Sequence, residues 1–447
     1  MAGLCFSTGL NERNTSYVYP PWKHTWGVRR ATPFKLRLFL GNKTHFDDPQ
    51  GIACVRLESW DDSTTTDDDD ELVVYGVNSG ENCIIFNRSM YSLGVYGLGP
   101  DEEKFDRPWG IAADARGNVY VADRGNARVV HLFNPDRGLF YIDDIGAPGS
   151  EPGKFVDPRG VALDTDGRIY VTDAGLGRVT VFDELGGVVD TWGGFDGPDA
   201  VAVVGPDEEW SFYRGEGFAV VIDSLHRRVR KLSLTGEPLG DTTPAEWGVK
   251  NSYLAYATID YHNNIIITDK RNGCLHKLNH NLNHLTSFGE PGTGDYQFDE
   301  PRGVTIYRRF GQLFVAERKG AQYLWVGVDV KDFAARVVRR SRWRDLEVDF
   351  YLTEPAFCSL DVIDNFGRFI TRITTRRRFD SGCGHIAWNM RIPQATHTGQ
   401  VQPELPQEYQ RGEQLPPGRY VIKARFRAIY SSREHFVRDV KTDFVVD

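Results

Sequence analysis

No stretch of this 447-residue chain approaches 18 consecutive apolar residues, and its first residues (MAGLCFSTGLNERNTSYVYPPW) lack a basic start followed by an apolar segment. We expect neither a membrane span nor a Sec signal peptide, and a protein that works in the cytoplasm or in an assembly exported by another route. Cysteine is sparse. Cys5, Cys54, Cys83, Cys274, Cys358 and Cys383 are scattered, form no Cys-x-x-Cys pair and read as buried free thiols, with a Cys358–Cys383 disulfide left open. Helical periodicity is almost missing, no Gly-rich loop leads from a strand into a helix, and neither G-x-S-x-G nor H-E-x-x-H occurs. The chain therefore lacks the usual signatures of phosphate-loop, serine-hydrolase and zinc-protease chemistry.

Excess positive charge is also lacking: 53 Lys and Arg face 62 Asp and Glu, a net charge of −9. Residues 331–447 hold 20 basic and 15 acidic side chains, which leaves 33 and 47 in residues 1–330. An acidic body with a mildly basic tail points to a protein partner rather than to bulk nucleic acid.

What the sequence does have is a repeat, clearest in Pro108–Val130 (PWGIAADARGNVYVADRGNARVV) and Pro158–Val179 (PRGVALDTDGRIYVTDAGLGRV). In the first of these, Gly110–Asp114 reads as a short strand, Ala115–Asn118 as a hairpin turn, and Val119–Ala122, Val129–Phe133 and Phe140–Ile145 as three further strands. Four short antiparallel strands bury both faces only when several such units pack radially. Six copies are legible. The first begins at Pro49–Ala53, with its second strand, Leu72–Tyr75, displaced by the acidic insertion Trp60–Glu71. The fourth begins at Pro198–Ala202, with Phe218–Ile222 following the insert Gly205–Glu216. The fifth (Leu254–Asp260, Ile265–Thr268) is degenerate, and the sixth runs from Pro301–Thr305 to Leu313–Ala316. A strand at Pro33–Leu40 is expected to help close the ring.

These copies resemble NHL repeats: Pro-x-Gly-Ile/Val-Ala, a Gly-containing turn, Val/Ile-Tyr-Val-x-Asp, then Arg-Val and another strand. The resemblance covers about 280 residues and implies a six-bladed β-propeller. Asp123, Asp173 and Asp223 each precede an arginine by five residues (Arg128, Arg178, Arg228). Because they recur in register with the repeat, we read them as ion pairs fastening each blade across a tight turn. Copies one, five and six carry Asn78/Cys83, Asp269/Cys274 and Glu317/Gln322 instead.

Beyond Lys331–Arg344 the strands Val348–Leu352, Ser359–Ile363, Phe369–Ile373, His385–Trp388, Tyr420–Ala428 and Phe436–Val446 read as a small β-sandwich. Asp364, Gly367, Gly384, Trp388, Pro417, Gly418 and Tyr420 occur where the immunoglobulin-like domain of the flagellar hook-capping protein has its Asp-x-x-Gly hairpin, Gly-x-x-x-x-Trp strand and Pro-Gly-x-Tyr opening. The segment resembles that family over roughly 100 residues and departs from it by a polar insertion, Arg391–Gln414. The resemblance implies a spacer or assembly module. The expected organisation is thus an all-β chain: an N-terminal extension (1–32), a propeller (33–330), an Arg-rich linker (331–346) and an immunoglobulin-like sandwich (347–447).

Candidates for chemistry are few. His276, His280 and His284 fit a strand, a turn and the next strand of copy five, where four-residue spacing does not line up metal ligands. Trp60–Glu71 lacks the Gly and alternating ligands of a calcium loop, and Asp164–Gly167 reads as a turn. The residue between Pro and Gly of each repeat is expected at the mouth of the propeller axis: Gln50, Trp109, Arg159, Asp199 and Arg302, with Ala255 in copy five. This mixed set suits recognition better than catalysis. Arg336, Arg339, Arg340, Arg342, Trp343 and Arg344 form one basic run, and Arg376, Arg377 and Arg378 a second, either of which suits an acidic partner surface. We therefore expect a non-enzymatic binding and assembly component with protein partners, no cofactor, no catalytic or metal-binding residues, and no nucleic-acid or small-molecule role. The alternatives are a metal-dependent propeller lactonase or lyase, and single-stranded RNA binding through Arg159 and Arg302.

Overall fold

The computed structural model describes residues 14–21, 29–60, 72–89, 92–223, 227–339, 344–393, 412–429 and 436–447. Two compact units emerge, one of them Tyr19–Trp325 and the other residues 14–18 with Val326–Asp447. No helix among the described residues is long and apolar enough to cross a membrane.

The first unit is a six-bladed propeller. Five blades are complete antiparallel four-stranded sheets; blade 2, for example, is Pro108–Ala113, Asn118–Asp123, Arg128–Phe133 and Phe140–Ile145 from the axis outward. The sixth has Val304–Tyr307, Gln312–Glu317 and Gly320–Val326, and the N-terminal Arg30–Ala31 pairs with the outer strand through Arg30↔Gln322 and Ala31↔Ala321. Tyr19 adds a hydroxyl bond to the side-chain oxygen of Gln322, 2.8 Å. Tyr19 and Arg30–Ala31, within the stretch expected as an extension, thus belong to the ring. The expected closing strand at Pro33–Leu40 is instead an α-helix. Thr32 caps it by accepting from the Lys35 N–H, Pro33 starts it, and Leu36 and Leu40, one turn apart, are its buried residues.

Blades cohere through apolar residues on both faces of the sheets, such as Val119, Val121, Val130 and Leu132 against Tyr75, Ile84 and Phe86 of blade 1. At the axis the inner strands of blades 1, 2, 3 and 6 approach a neighbour so closely that the repeat's glycine is required there. A Cβ on Gly51 would lie 2.7 Å from the Trp109 carbonyl oxygen, and one on Gly160 would lie 2.7 Å from Ala200 Cα.

The repeat's acid has a function beyond pairing. In blades 2 to 6 it accepts a backbone N–H from the loop that enters the blade, Asp106 to Asp123, Asp157 to Asp173, Asp196 to Asp223, Tyr253 to Asp269 and Asp299 to Glu317, and in blade 1 the amide oxygen of Asn78 accepts from Asp47 in the same way, at 2.7–3.4 Å. The arginines are less uniform. Arg128 lies 3.0 Å from Asp123 and Arg228 lies 3.4 Å from Asp223. Arg178, however, stands opposite Asp173 in the ladder yet donates to the carbonyls of Ser150, Glu151 and Lys154. Asp173 is already filled by the N–H groups of Val156, Asp157, Gly175 and Leu176, so the expected third ion pair is not made. In blade 6 the cation comes from the closing segment, with Arg30 3.1 Å from Glu317.

In the second unit, Val330–Arg339, Arg344–Leu352 and Gly382–Trp388 form one sheet, and Phe369–Phe379, Ala356–Asp364, Gly418–Ala428 and Val437–Val446 form the other. They enclose a core of Leu346, Val348, Phe350, Leu360, Ile422, Phe426 and Trp388. The described residues of the basic stretch 331–346 belong to the sandwich rather than to a linker: residues of Val330–Arg339 alternate in exposure, and the strand pairs with Arg344–Leu352. Cys358 is buried, Cys383 is exposed, and both are free thiols.

Candidate functional site

The inner strands of blades 1 to 5 begin with an irregularity in register, as between Pro108 and Ile111 or Pro158 and Val161. Such bulges re-aim side chains at the rim of a sheet. The variable residues fall into two polar clusters at one end of the axis. Arg159 pairs with Asp199 of the next blade and lies 2.9 Å from Asp157. Arg124 also binds Asp157, with one contact of 3.3 Å, and its guanidinium lies 4.9 Å from the Trp109 ring, which Arg159 approaches to 5.7 Å. Across the ring Arg302 pairs with Asp48, donates to the Pro49 carbonyl at 3.0 Å and reaches Glu300 at 3.3 Å. Gln50 donates to Asp48 at 2.9 Å. The expected mouth residues Gln50, Trp109, Arg159, Asp199 and Arg302 are thus brought together. Asp48, Arg124, Asp157 and Glu300 belong with them, although nothing in the repeat pattern marks them except their nearness to Pro-x-Gly.

Below these clusters a side chain crosses the axis. The fifth repeat has Tyr256 where the pattern has glycine, and its hydroxyl donates across the ring to the Trp109 carbonyl oxygen, 3.3 Å. Blades 5 and 2 stand opposite each other in a ring of six, so the ring of Tyr256 lies across the axis. Burial, and then the Asp199 charge, raise its phenol well above the usual value. The contact ties two opposite blades together at the axis.

Charge within the clusters is largely compensated. Burial alone would raise the Asp48 carboxyl, but Arg302 and Gln50 outweigh it and hold the group below its usual range. Arg124 and Arg159 do the same for Asp157.

The arginine runs do not form one site. Arg339 and Arg344 face each other across a hairpin and both contact Asp447, Arg339 at 3.4 Å and Arg344 through the main-chain oxygen. Arg336 is bound to Glu347 at 2.8 Å. Arg376, Arg377 and Arg378 belong to the other sheet, where Arg376 lies over Phe357, Arg377 over Phe379, and Arg378 pairs with Asp380 at 3.2 Å. Arg340, Arg342 and Trp343 lie outside the described residues, as does most of the acidic insertion, of which Trp60 donates to Asp136 at 2.8 Å. The other insert, Gly205–Glu216, folds onto blade 5, with the Phe212 N–H donating to the Tyr261 carbonyl and Ser211 to Asn263.

Comparison with known proteins agrees with the repeat. The family model described as NHL repeat matches residues 105–132 and 155–182. No curated protein matches the sequence. Among solved structures, virginiamycin B lyase from Staphylococcus aureus is similar at 13% identity over 58% of this chain and 82% of its own, TM-score 0.41. A gluconolactonase from Xanthomonas campestris is similar at 13% identity over 66% and 94%, TM-score 0.45. Regucalcin, a calcium-binding protein from Agrobacterium tumefaciens, is similar at 13% over 63% and 90%, TM-score 0.43. The chain is an all-β protein with NHL repeats in a six-bladed propeller.

Proposed function

We propose that this chain is a non-enzymatic binding and assembly component whose propeller mouth recognises a protein partner. The observation that carries this reading is the mixed-charge mouth. Arg and Asp engage one another around half-buried Trp109, with Tyr256 reaching across the axis, so the buried polar groups of the mouth are spent on each other and partly exposed Trp109, Arg124 and Asp157 are left for a protein to meet. Its arginines are engaged by carboxylates rather than free for phosphates, which weighs against RNA binding through Arg159 and Arg302. For a lactonase or lyase with a metal at the mouth, the carboxylates that would hold the ion, Asp48, Asp157 and Asp199, are each bound by arginine, a donor set that fits a cation poorly.

We further propose that the second unit is an immunoglobulin-like module that anchors the propeller in a larger assembly. It supplies two facing sheets, and the Tyr420 hydroxyl is bonded back to the Pro416 carbonyl at 2.9 Å, in the manner of a tyrosine corner. The test is capture of partners by the intact chain from its native source, with identification by mass, alongside Trp109→Ala and Arg124→Ala variants of unchanged melting temperature. A partner retained by the wild type and lost by both variants is expected. Equal recovery by all three would place the interaction elsewhere and sink the mouth as the binding surface.

A further inference from the structure

Blade 5 departs from the repeat in a way that the binding surface does not explain. At the position of the fastening arginine it has Cys274, and two residues along the same strand, on the same face, it has His276. Both side chains turn to Asp269, the loop-anchoring acid of this blade, and all three residues are buried. His276 Nε2 lies 3.2 Å from Asp269 Oδ2 and 3.7 Å from Cys274 Sγ. A tetrahedral ion with zinc–ligand bonds of about 2.0 Å to N and O and about 2.3 Å to S would separate N from O by about 3.3 Å and N from S by about 3.6 Å. The observed spacings are those of two edges of such a tetrahedron.

From this geometry we infer that Asp269, Cys274 and His276 form a binding site for a borderline-soft divalent ion, zinc foremost, in the flank of blade 5. The donor set of thiolate, imidazole and carboxylate excludes magnesium and calcium, which take oxygen ligands. The surroundings have the form of a ligand shell. His276 Nδ1 is bonded to Ser287 Oγ at 2.8 Å, which fixes the ring and leaves Nε2 to face the acid. Ser287 Oγ is in turn 3.0 Å from His284 Nε2, and Trp247 stacks on His284 with ring centroids 5.6 Å apart. The backbone N–H groups of Tyr253, Arg271 and Asn272 hold Asp269 through its other oxygen, Oδ1. Burial, and then the Asp269 charge, push the Cys274 thiol up to about 12, so the ion must itself displace the proton as it binds. Three protein ligands leave the fourth position to Ser252, whose hydroxyl already contacts Asp269 Oδ2 at 2.5 Å, or to solvent. Blade 1 provides an internal contrast. Cys83 occupies the same repeat position, but among the described residues its sulfur is hydrogen-bonded to Asn78 and Thr44 rather than to a carboxylate or an imidazole.

The experiment is metal analysis of the full chain after equilibration with zinc, together with cobalt(II) substitution. One bound equivalent is expected, and the cobalt form should show a thiolate charge-transfer band. Cys274→Ser should abolish that band, while Cys83→Ser should leave it intact. Ser287→Ala, which alters an exposed residue behind the histidine, should weaken binding by about 10- to 100-fold. Cys274→Arg restores the residue found in blades 2, 3 and 4 and is expected to fold but hold no ion. The assignment is overturned if the wild type retains no zinc, or if Cys274→Arg folds and retains it undiminished. Zinc lost on Asp48→Asn or Asp199→Asn but kept by Cys274→Arg would overturn both this site and the non-enzymatic reading of the mouth.

Discussion

Arg302 shows how one side chain of the repeat is spent on its neighbours. It reaches out of blade 6 to an acid and a carbonyl of blade 1, so the contact that organises the mouth also joins two blades. The carboxyls of Asp48 and Asp157 titrate below their ordinary value of 3.8. A depressed folded-state value means a stabilising contribution that is complete above pH 3.8 and is lost as pH falls through the depressed values. Asp123 and Glu317 have the opposite sign: burial raises both, so their ionisation opposes folding and acid relieves them. Melting temperature followed from pH 7 down to pH 2 should therefore fall most steeply below pH 4. An Arg302→Met variant, lower in stability at pH 7, should show a shallower acid limb. Parallel curves would rule out the Asp48–Arg302 pair as a source of the acid response. At this scale the mouth residues were legible, because Pro-x-Gly fixes where its central residue must emerge. Their partners were not, since Arg124 and Asp157 lie in turns whose side-chain directions no periodicity specifies.

The recurrent acid is a loop anchor first and an ion-pair partner second. Asp173 satisfies four backbone N–H groups without any arginine, whereas Arg178 binds only carbonyls. Removing an acceptor strands buried donors, so Asp173→Ala should cost about 2–4 kcal/mol and Arg178→Ala about 0.5–1.5 kcal/mol in denaturant unfolding. Equal losses would restore the simple ion-pair picture. The strands themselves were readable from alternation and turn residues, and the six copies stand where the repeat puts them. The helix Pro33–Leu40 was not, because Phe34-Lys-Leu-Arg-Leu38 alternates as a strand would and only the cap Thr32-Pro33 speaks for a helix. The three histidines of blade 5 illustrate the same limit. Their spacing does place them on a strand, a turn and a strand, but the partners of His276 are an aspartate on the preceding strand and a cysteine two residues away, a grouping that only the pairing of strands reveals.

For the whole molecule the decisive contact is the one that shuts the ring. Arg30 enters blade 6 beside Glu317, whose side chain is only 5% exposed, and supplies the charge that the blade's own Gln322 does not. Arg30→Ala should lower stability by about 2–3 kcal/mol, and a second change, Glu317→Gln, should recover most of that loss by removing the stranded charge. Additive losses in the double variant, measured by the same unfolding curves, would show that the two side chains do not act as a pair. Six blades and a separate β-sandwich could be foreseen from the repeat and from the change of pattern near residue 331. The closing segment could not, because Tyr19 and Arg30–Ala31 carry no motif and form no more than two residues of strand.

That closure also has a consequence in time. Arg30 and Glu317 are separated by 287 positions. At ribosomal speeds the first waits about 15 to 60 s for the second to be made. By the end of that interval the five earlier blades form an open arc with an uncovered sheet face at each end, so the nascent chain is most vulnerable to association with other chains just before its sixth blade emerges.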